Sequence, residues 1–216
     1  ITINMPLYND VSELYIGVKK GSIIGHGDRY INEKPIVYYG SSITQGACAS
    51  KTGNSYQGMI SRRMNCDFIN LGFSGNGKME KEVVSLISEI DARLFILDCI
   101  PNVLNYDDIE QRVYNSVKII RERHSAPILL IEHVGYAHSQ TNENSRTKSI
   151  AGNEANRRAY EKLIKEGVEN IHYISQSELE VSPESTVDYV HLTDKGMSEQ
   201  ATSVERKVRE ILNIPM

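Results

Sequence analysis

Five short apolar runs, at residues 36–39, 68–71, 94–97, 128–131 and a weaker one at 171–174, are separated by stretches whose apolar residues recur every three or four positions. No other feature restricts the fold as much. The runs are too short for helices and carry no polar alternation, so both of their faces are expected to be buried. Between them, Met79, Val83, Leu86, Ile87 and Ile90 share one helical face, as do Ile109, Val113, Val117 and Ile120. Met197, Ala201, Val204, Val208 and Ile211 form a third such face, with Thr193 placed as its N-cap. Strands alternating with helices predict an α/β fold: a parallel sheet of about five strands with helices on both faces. Residues 1–33 have a different texture. Loosely alternating apolar residues from Val11 to Val18, a Lys-Lys-Gly-Ser turn and glycines flanking His26 predict a short β-rich segment and linker. The α/β domain is then expected over residues 34–216.

In parallel sheets the ligand crevice lies beyond the carboxyl ends of the strands. Gly40-Ser41-Ser42 follows the first run, the glycine-rich residues 72–77 the second, Asn102 the third, and Glu132-His133 the fourth. All are therefore expected on one edge. Asp188 and His191 stand just before the last helix. Serine, histidine and aspartate are the parts of nucleophilic acyl transfer, with Ser42 as attacker, His191 as base and Asp188 as the group that orients it. Donors for a developing oxyanion are available at the backbone N–H of Gly75 and of Ser42 and at the side-chain amide of Asn102. The turn at Ser42 is not a G-x-S-x-G elbow, because Thr44 occupies the second glycine position. Glu132, His133 and Tyr136 open a polar, non-periodic segment and are read as substrate-binding. Glu132, His133 and His138 with Asp188 also suggest a metal cluster, but neither His-x-x-x-His spacing nor a cysteine partner accompanies them. No metal and no organic cofactor is assigned.

Composition removes several classes. A formal net charge of −4 and scattered basic residues argue against a nucleic-acid partner. No apolar stretch approaches the roughly 20 residues that cross a bilayer, so membrane insertion is not expected. Cys48, Cys66 and Cys99 form no C-x-x-C pair, which excludes a disulfide scaffold. The first residues, Ile-Thr-Ile-Asn-Met, contain neither an initiator Met nor a signal peptide, and a leader or a domain is expected upstream. Nothing in the pattern sets an oligomeric state.

The segments GSSITQG, NLGFSGNG, the Asn of DCIPN, and DYVH resemble, in order and approximate spacing, the sequence blocks of the SGNH or GDSL-type hydrolases. The resemblance spans residues 34–212. It implies a three-layer α/β/α, flavodoxin-like fold, with Ser42 as nucleophile, Gly75 and Asn102 as oxyanion donors, and Asp188 and His191 completing the triad. Two positions depart from the family pattern. Ser41 replaces the Asp of G-D-S-L, and Ile-Pro-Asn-Val replaces G-x-N-D around Asn102. The LYIGVKKG segment resembles the end of a β-sandwich that precedes the catalytic domain in one subgroup. That subgroup includes many secreted bacterial carbohydrate esterases, which implies an extracytoplasmic location. The expectation is a serine esterase that acts on short acyl esters, first among them O-acetyl groups on carbohydrate, through an acyl-enzyme. A small-molecule or glycan ester is then the partner. An acyltransferase with the same triad and an inactive carbohydrate-binding module are the alternatives.

Overall fold

The computed structural model describes residues 2–215. Five parallel strands, β1 (Asn32–Gly40), β2 (Cys66–Gly72), β3 (Leu94–Asp98), β4 (Ile128–Ile131) and β5 (Ile171–Ile174), form one sheet in the order β2-β1-β3-β4-β5. This is the flavodoxin-like order, and the chain reverses its direction of winding at β1 and β3. Residues 36–40 pair in register with 68–72 on one side and with 94–98 on the other. Each of the five apolar runs lies within a strand.

Seven helices occur among the described residues: α1 (Ser42–Gln45), α2 (Tyr56–Met64), α3 (Lys81–Ile87), α4 (Tyr106–Arg121), α5 (Glu143–Lys165), α6 (Gln176–Leu179) and α7 (Asp194–Leu212). Alternation along β1 divides the core in two. Ile36 and Tyr38 pack with α2 and α7, whereas Val37 and Tyr39 pack with α3, α4 and α5. Full burial of each large aliphatic side chain contributes about 1.5–3 kcal/mol, so these two layers supply most of the driving force. The α7 stripe and its Thr193 cap form as the periodicity predicts; the Thr193 side chain accepts from Gly196 N–H.

Three regions differ from the sequence expectation. Met79 stands outside α3 with a positive φ of 59°, and the helix starts only after Glu80. More informative is α5, which has no readable apolar stripe. Its buried face includes Ser149, Gly152, Asn153 and Asn156 beside Ala155, Ala159 and Leu163. The asparagines are buried because they bond the end of β4: Asn156 Nδ2 donates to Ile131 O at 3.1 Å and Asn153 Nδ2 to His133 O at 3.1 Å.

The β-rich character expected before residue 34 is confined to the start of β1. Residues 2–30 form no strand. A strand needs a partner ladder, and here Leu14, Tyr15, Ile16, Val18, Ile23 and Ile24 stay exposed with no partner edge among the described residues. Within this segment Asn4 and Leu7 contact the domain, and Ile31 N–H donates to Asn65 O at 3.0 Å.

Candidate active site

The first strand ends in a turn with no spare room. A Cβ at Gly40 would lie 2.0 Å from Thr44 Oγ1 and 2.6 Å from Asp98 O, so glycine is required for α1 to begin there. Ser41 caps α1, its hydroxyl accepting from Ile43 N–H at 3.2 Å. Serine and aspartate are equally good N-caps, which accounts for the Asp-to-Ser departure at this position. Ser42 is then the first residue of α1, 7% exposed.

The hydroxyl of Ser42 lies 2.8 Å from His191 Nε2. On the other side of the ring, Nδ1 lies 2.7 Å from Asp188 Oδ2. A carboxylate accepts at Nδ1, so the proton sits there and Nε2 is left to accept from Ser42. The Asp188–His191 loop is folded tightly on itself. Asp188 Oδ1 accepts from Val190 N–H at 3.1 Å and from His191 N–H at 2.8 Å. Val187 N–H donates to His191 O at 2.8 Å, and Tyr189 takes a positive φ of 71° to close the loop. Partial burial opposes the Asp188 charge, but the His191 and Val190 N–H groups and the imidazole outweigh it and hold the carboxyl down to about 2. The His191 ring is thus oriented by a carboxylate that is ionised across the neutral pH range.

Residues 73–77 pass over the end of β2. Phe73 O accepts from Asn76 and Gly77 N–H, and Gly75 adopts a positive φ of 71°. Gly77 lies directly against Gly40, where a Cβ would meet Gly40 O at 2.0 Å. Asn102 ends a 3-10 turn after β3, and its amide donates to Phe73 O at 3.0 Å and to Gly77 O at 3.2 Å. Both of its amide hydrogens therefore seat the glycine loop. Among the described residues, no acceptor is bonded to the N–H of Ser42 or of Gly75. Both donors are free, Ser42 N–H on the turn that carries the hydroxyl and Gly75 N–H on the 73–77 loop.

Beyond β4 the structure separates the residues read as substrate-binding. Glu132 is buried, and its oxygens accept from Arg157, Tyr173 and Gln176 N–H. His133 is also buried; its Nδ1 accepts from Gly135 N–H at 2.7 Å. Tyr136 packs its ring at a tilt against His133, centroids 4.6 Å apart, and lines a cleft of about 260 Å³ between the 134–140 and 181–186 segments, beside the Asp188 loop. Of the three, it alone reaches this cleft. No group of three or more His, Cys, Asp or Glu side chains among the described residues is arranged to hold a metal ion.

Sequence reading did not single out Asp98. It is buried at the end of β3, where its Oδ2 accepts from Thr44 at 2.8 Å and Tyr56 at 3.1 Å, and its backbone O accepts from Ser41 N–H at 3.2 Å. It thereby ties the sheet to the turn that carries Ser42. The available signal was an acidic residue closing an otherwise apolar strand. Burial raises its carboxyl from 3.8 to about 7, against the pull of the Thr44 and Tyr56 hydroxyls. Burial lowers His133 from 6.5 to about 4. The two act on stability with opposite sign. Between 3.8 and about 7 the folded Asp98 holds a proton that the unfolded chain has released, so its contribution is lost as pH rises. Between about 4 and 6.5 the unfolded His133 binds the extra proton, so stability rises with pH. In the wild type these trends oppose each other. Asp98→Asn removes the first of them, so its Tm relative to wild type is expected to improve steadily from about pH 4.5 to pH 7.5. A difference in Tm that stays constant over that range would show that Asp98 does not titrate there.

A family model for the GDSL-like lipase/acylhydrolase family matches residues 33–209. A protein from Bacteroides ovatus ATCC 8483, described as a GDSL-like lipase, is 38% identical over 92% of the chain, with a TM-score of 0.85. A salicylyl-acyltransferase from a tetracycline biosynthetic pathway is 23% identical over 86% of the chain, with a TM-score of 0.74. A two-domain esterase active on acetylated mannans is 17% identical over 82%, with a TM-score of 0.61, and these last two likenesses concern the fold. The chain spans 59%, 57% and 49% of the lengths of these three proteins. No curated protein matches the chain.

Proposed function

The chain belongs to the GDSL-like lipase/acylhydrolase family, and from that premise we propose that it is a serine esterase that removes short acyl groups through an acyl-enzyme. The observation that carries this reading is the unbroken line from Ser42 Oγ through the His191 ring to Asp188, with contacts of 2.8 and 2.7 Å. His191 Nε2 takes the Ser42 proton as Oγ attacks the ester carbonyl. The carbonyl oxygen becomes an oxyanion, held by the free N–H groups of Ser42 and Gly75. Asn102 acts there by seating the Gly75 loop, and donates to the oxyanion only by releasing one of its two carbonyls. His191 then passes the proton to the departing alcohol, leaving the acyl group on Ser42. A water deprotonated at the same nitrogen cleaves that ester and restores the hydroxyl.

Hydrolysis is favoured over transfer to another alcohol because the His191 side chain is 26% and the Asp188 side chain 51% exposed, so water reaches the base directly. The alcohol side of the substrate is assigned to carbohydrate, and the acyl group to acetate. The cleft beside the Asp188 loop is lined by Tyr136, Ser139, Gln140 and Ser182 together with Val134, Val181 and Pro183, a mixed polar, aromatic and apolar set on which a sugar ring can pack. The activity on acetylated mannans of one fold relative agrees with this assignment. A panel of acetylated glycans and p-nitrophenyl esters of increasing chain length tests it. Acetate release from the glycans, with kcat/KM falling as the acyl chain lengthens, is the expected result. A preference for long-chain esters would refute the carbohydrate assignment.

A further inference from the structure

Gln45, the last residue of α1, is bonded on both sides of its side-chain amide. Its Oε1 accepts from Ser74 N–H at 2.9 Å, and its Nε2 donates to Leu7 O at 3.0 Å. Ser74 immediately precedes Gly75, and Leu7 belongs to the N-terminal segment. The backbone of Gln45 is also fixed. Its O accepts from Asn70 Nδ2 at 3.4 Å, and a Cβ on Gly72 would lie 2.0 Å from its N. The end of β2 and the nucleophile helix are therefore in direct backbone contact, with the Gln45 amide spanning from them to the loop above.

The N-terminal segment is held at further points nearby. Leu7 Cδ1 fills the space over Gly46, where a Cβ would meet it at 2.6 Å. Thr52 Oγ1 donates to Asn4 O at 3.1 Å. Tyr8 lies close to Ser74 and to Cys48, and Asp188 is within electrostatic reach of Cys48 as well. Residues 4–8 thus lie against the end of α1 and the turn after it, with Tyr8 close to the segment that carries the free Gly75 N–H.

We propose that Gln45 is a positioning residue for the acyl-transfer reaction: it fixes the Gly75 loop relative to Ser42, and residues 4–8 brace it as one wall of the site. The inference rests on the esterase reading. Its physical basis is the steep dependence of catalysis on geometry, since a displacement of about 1 Å in a catalytic group costs about a hundredfold in rate. Without Gln45, the Ser74 N–H has no anchor on α1, and the 73–77 loop is held to the site by Asn102 and by its contact with Gly40.

Two variants separate the two bonds. Gln45→Met keeps the length and removes both; Gln45→Glu keeps an acceptor for Ser74 N–H but loses the donor to Leu7 O. With p-nitrophenyl acetate, Gln45→Met is expected to lower kcat about tenfold to a hundredfold with little change in KM. Limited proteolysis should cut near residues 4–8 faster in both variants, while Gln45→Glu loses less kcat than Gln45→Met. Equal kcat in the two variants overturns the Ser74 link. A Gln45→Met kcat within about threefold of wild type overturns the role, and so does a loss that follows a rise in KM and a fall in Tm. A wild type that neither turns over the ester nor reacts with a fluorophosphonate at Ser42 overturns the esterase reading and this role with it. An active wild type beside an unaffected Gln45→Met overturns the role alone.

Discussion

Ser42→Ala is expected to lower kcat on p-nitrophenyl acetate by about 10⁴-fold or more, while Tm moves by only a few degrees. The size of the effect follows from the absence of a substitute nucleophile at the site. Cys48 is exposed, but partial burial and the nearby Asp188 charge both push its thiol up and keep it protonated. Cys66 and Cys99 are buried, and burial pushes both thiols up, Cys66 to about 11. In the variant, the free backbone N–H groups at position 42 and at Gly75 are retained, so a residual acceleration of about 10³–10⁴ over water is consistent with the mechanism. Mass spectrometry of the fluorophosphonate adduct supplies the second measurement: the label on Ser42 in wild type, none in the variant. Turnover within tenfold of wild type would place the nucleophile elsewhere.

Asp188→Asn is expected to cost about 10²–10⁴ in kcat. The backbone N–H groups of Val190 and His191, which now bond Asp188 Oδ1 at 3.1 and 2.8 Å, can still be accepted by an amide oxygen. The Asn amide N–H₂ must then face His191 Nδ1. It forces the proton onto Nε2, where Ser42 needs an acceptor, so the loop survives and the base is lost. The lower end of the range allows for solvent, because the Asp188 side chain is 51% exposed and water can partly replace it. Because the carboxyl is held at about 2, acidification from pH 8 to pH 4 leaves it charged, and activity lost over that interval in wild type comes from other groups. A variant retaining kcat within about tenfold would mean that Asp188 is only a loop residue.

Most of the architecture was legible in the chain. All five apolar runs became strands; β3 and β4 are fully buried, as parallel strands that admit no polar alternation must be, whereas β2 and β5 at the sheet edges are only partly buried. The α4 and α7 stripes were readable because each helix buries one aliphatic face. The stretch 143–165 was not, since its buried face is built from asparagine, serine, glycine and alanine that bond and approach β4 instead of forming an apolar stripe. The N-terminal alternation suggested pairing, yet pairing depends on a partner edge that no local pattern specifies.

The site divides along the same line. Local sequence determined the chemistry on offer: a hydroxyl on a capped turn after a strand, a glycine loop, and an Asp and a His spaced to close on each other before a helix. Their meeting, across 149 residues between Ser42 and His191, was decided by strand order. With β1 placed between β2 and β3, three loops converge where the sheet reverses its winding, and α7 packs back to deliver the histidine. Tertiary structure alone decided that Glu132 and His133 turn inward, that the Asn102 amide seats the glycine loop, and that Gln45 meets both Ser74 and Leu7. Each of these depends on which backbone groups a polar side chain finds unpaired once the chain has packed, and that pairing exists only in the folded molecule.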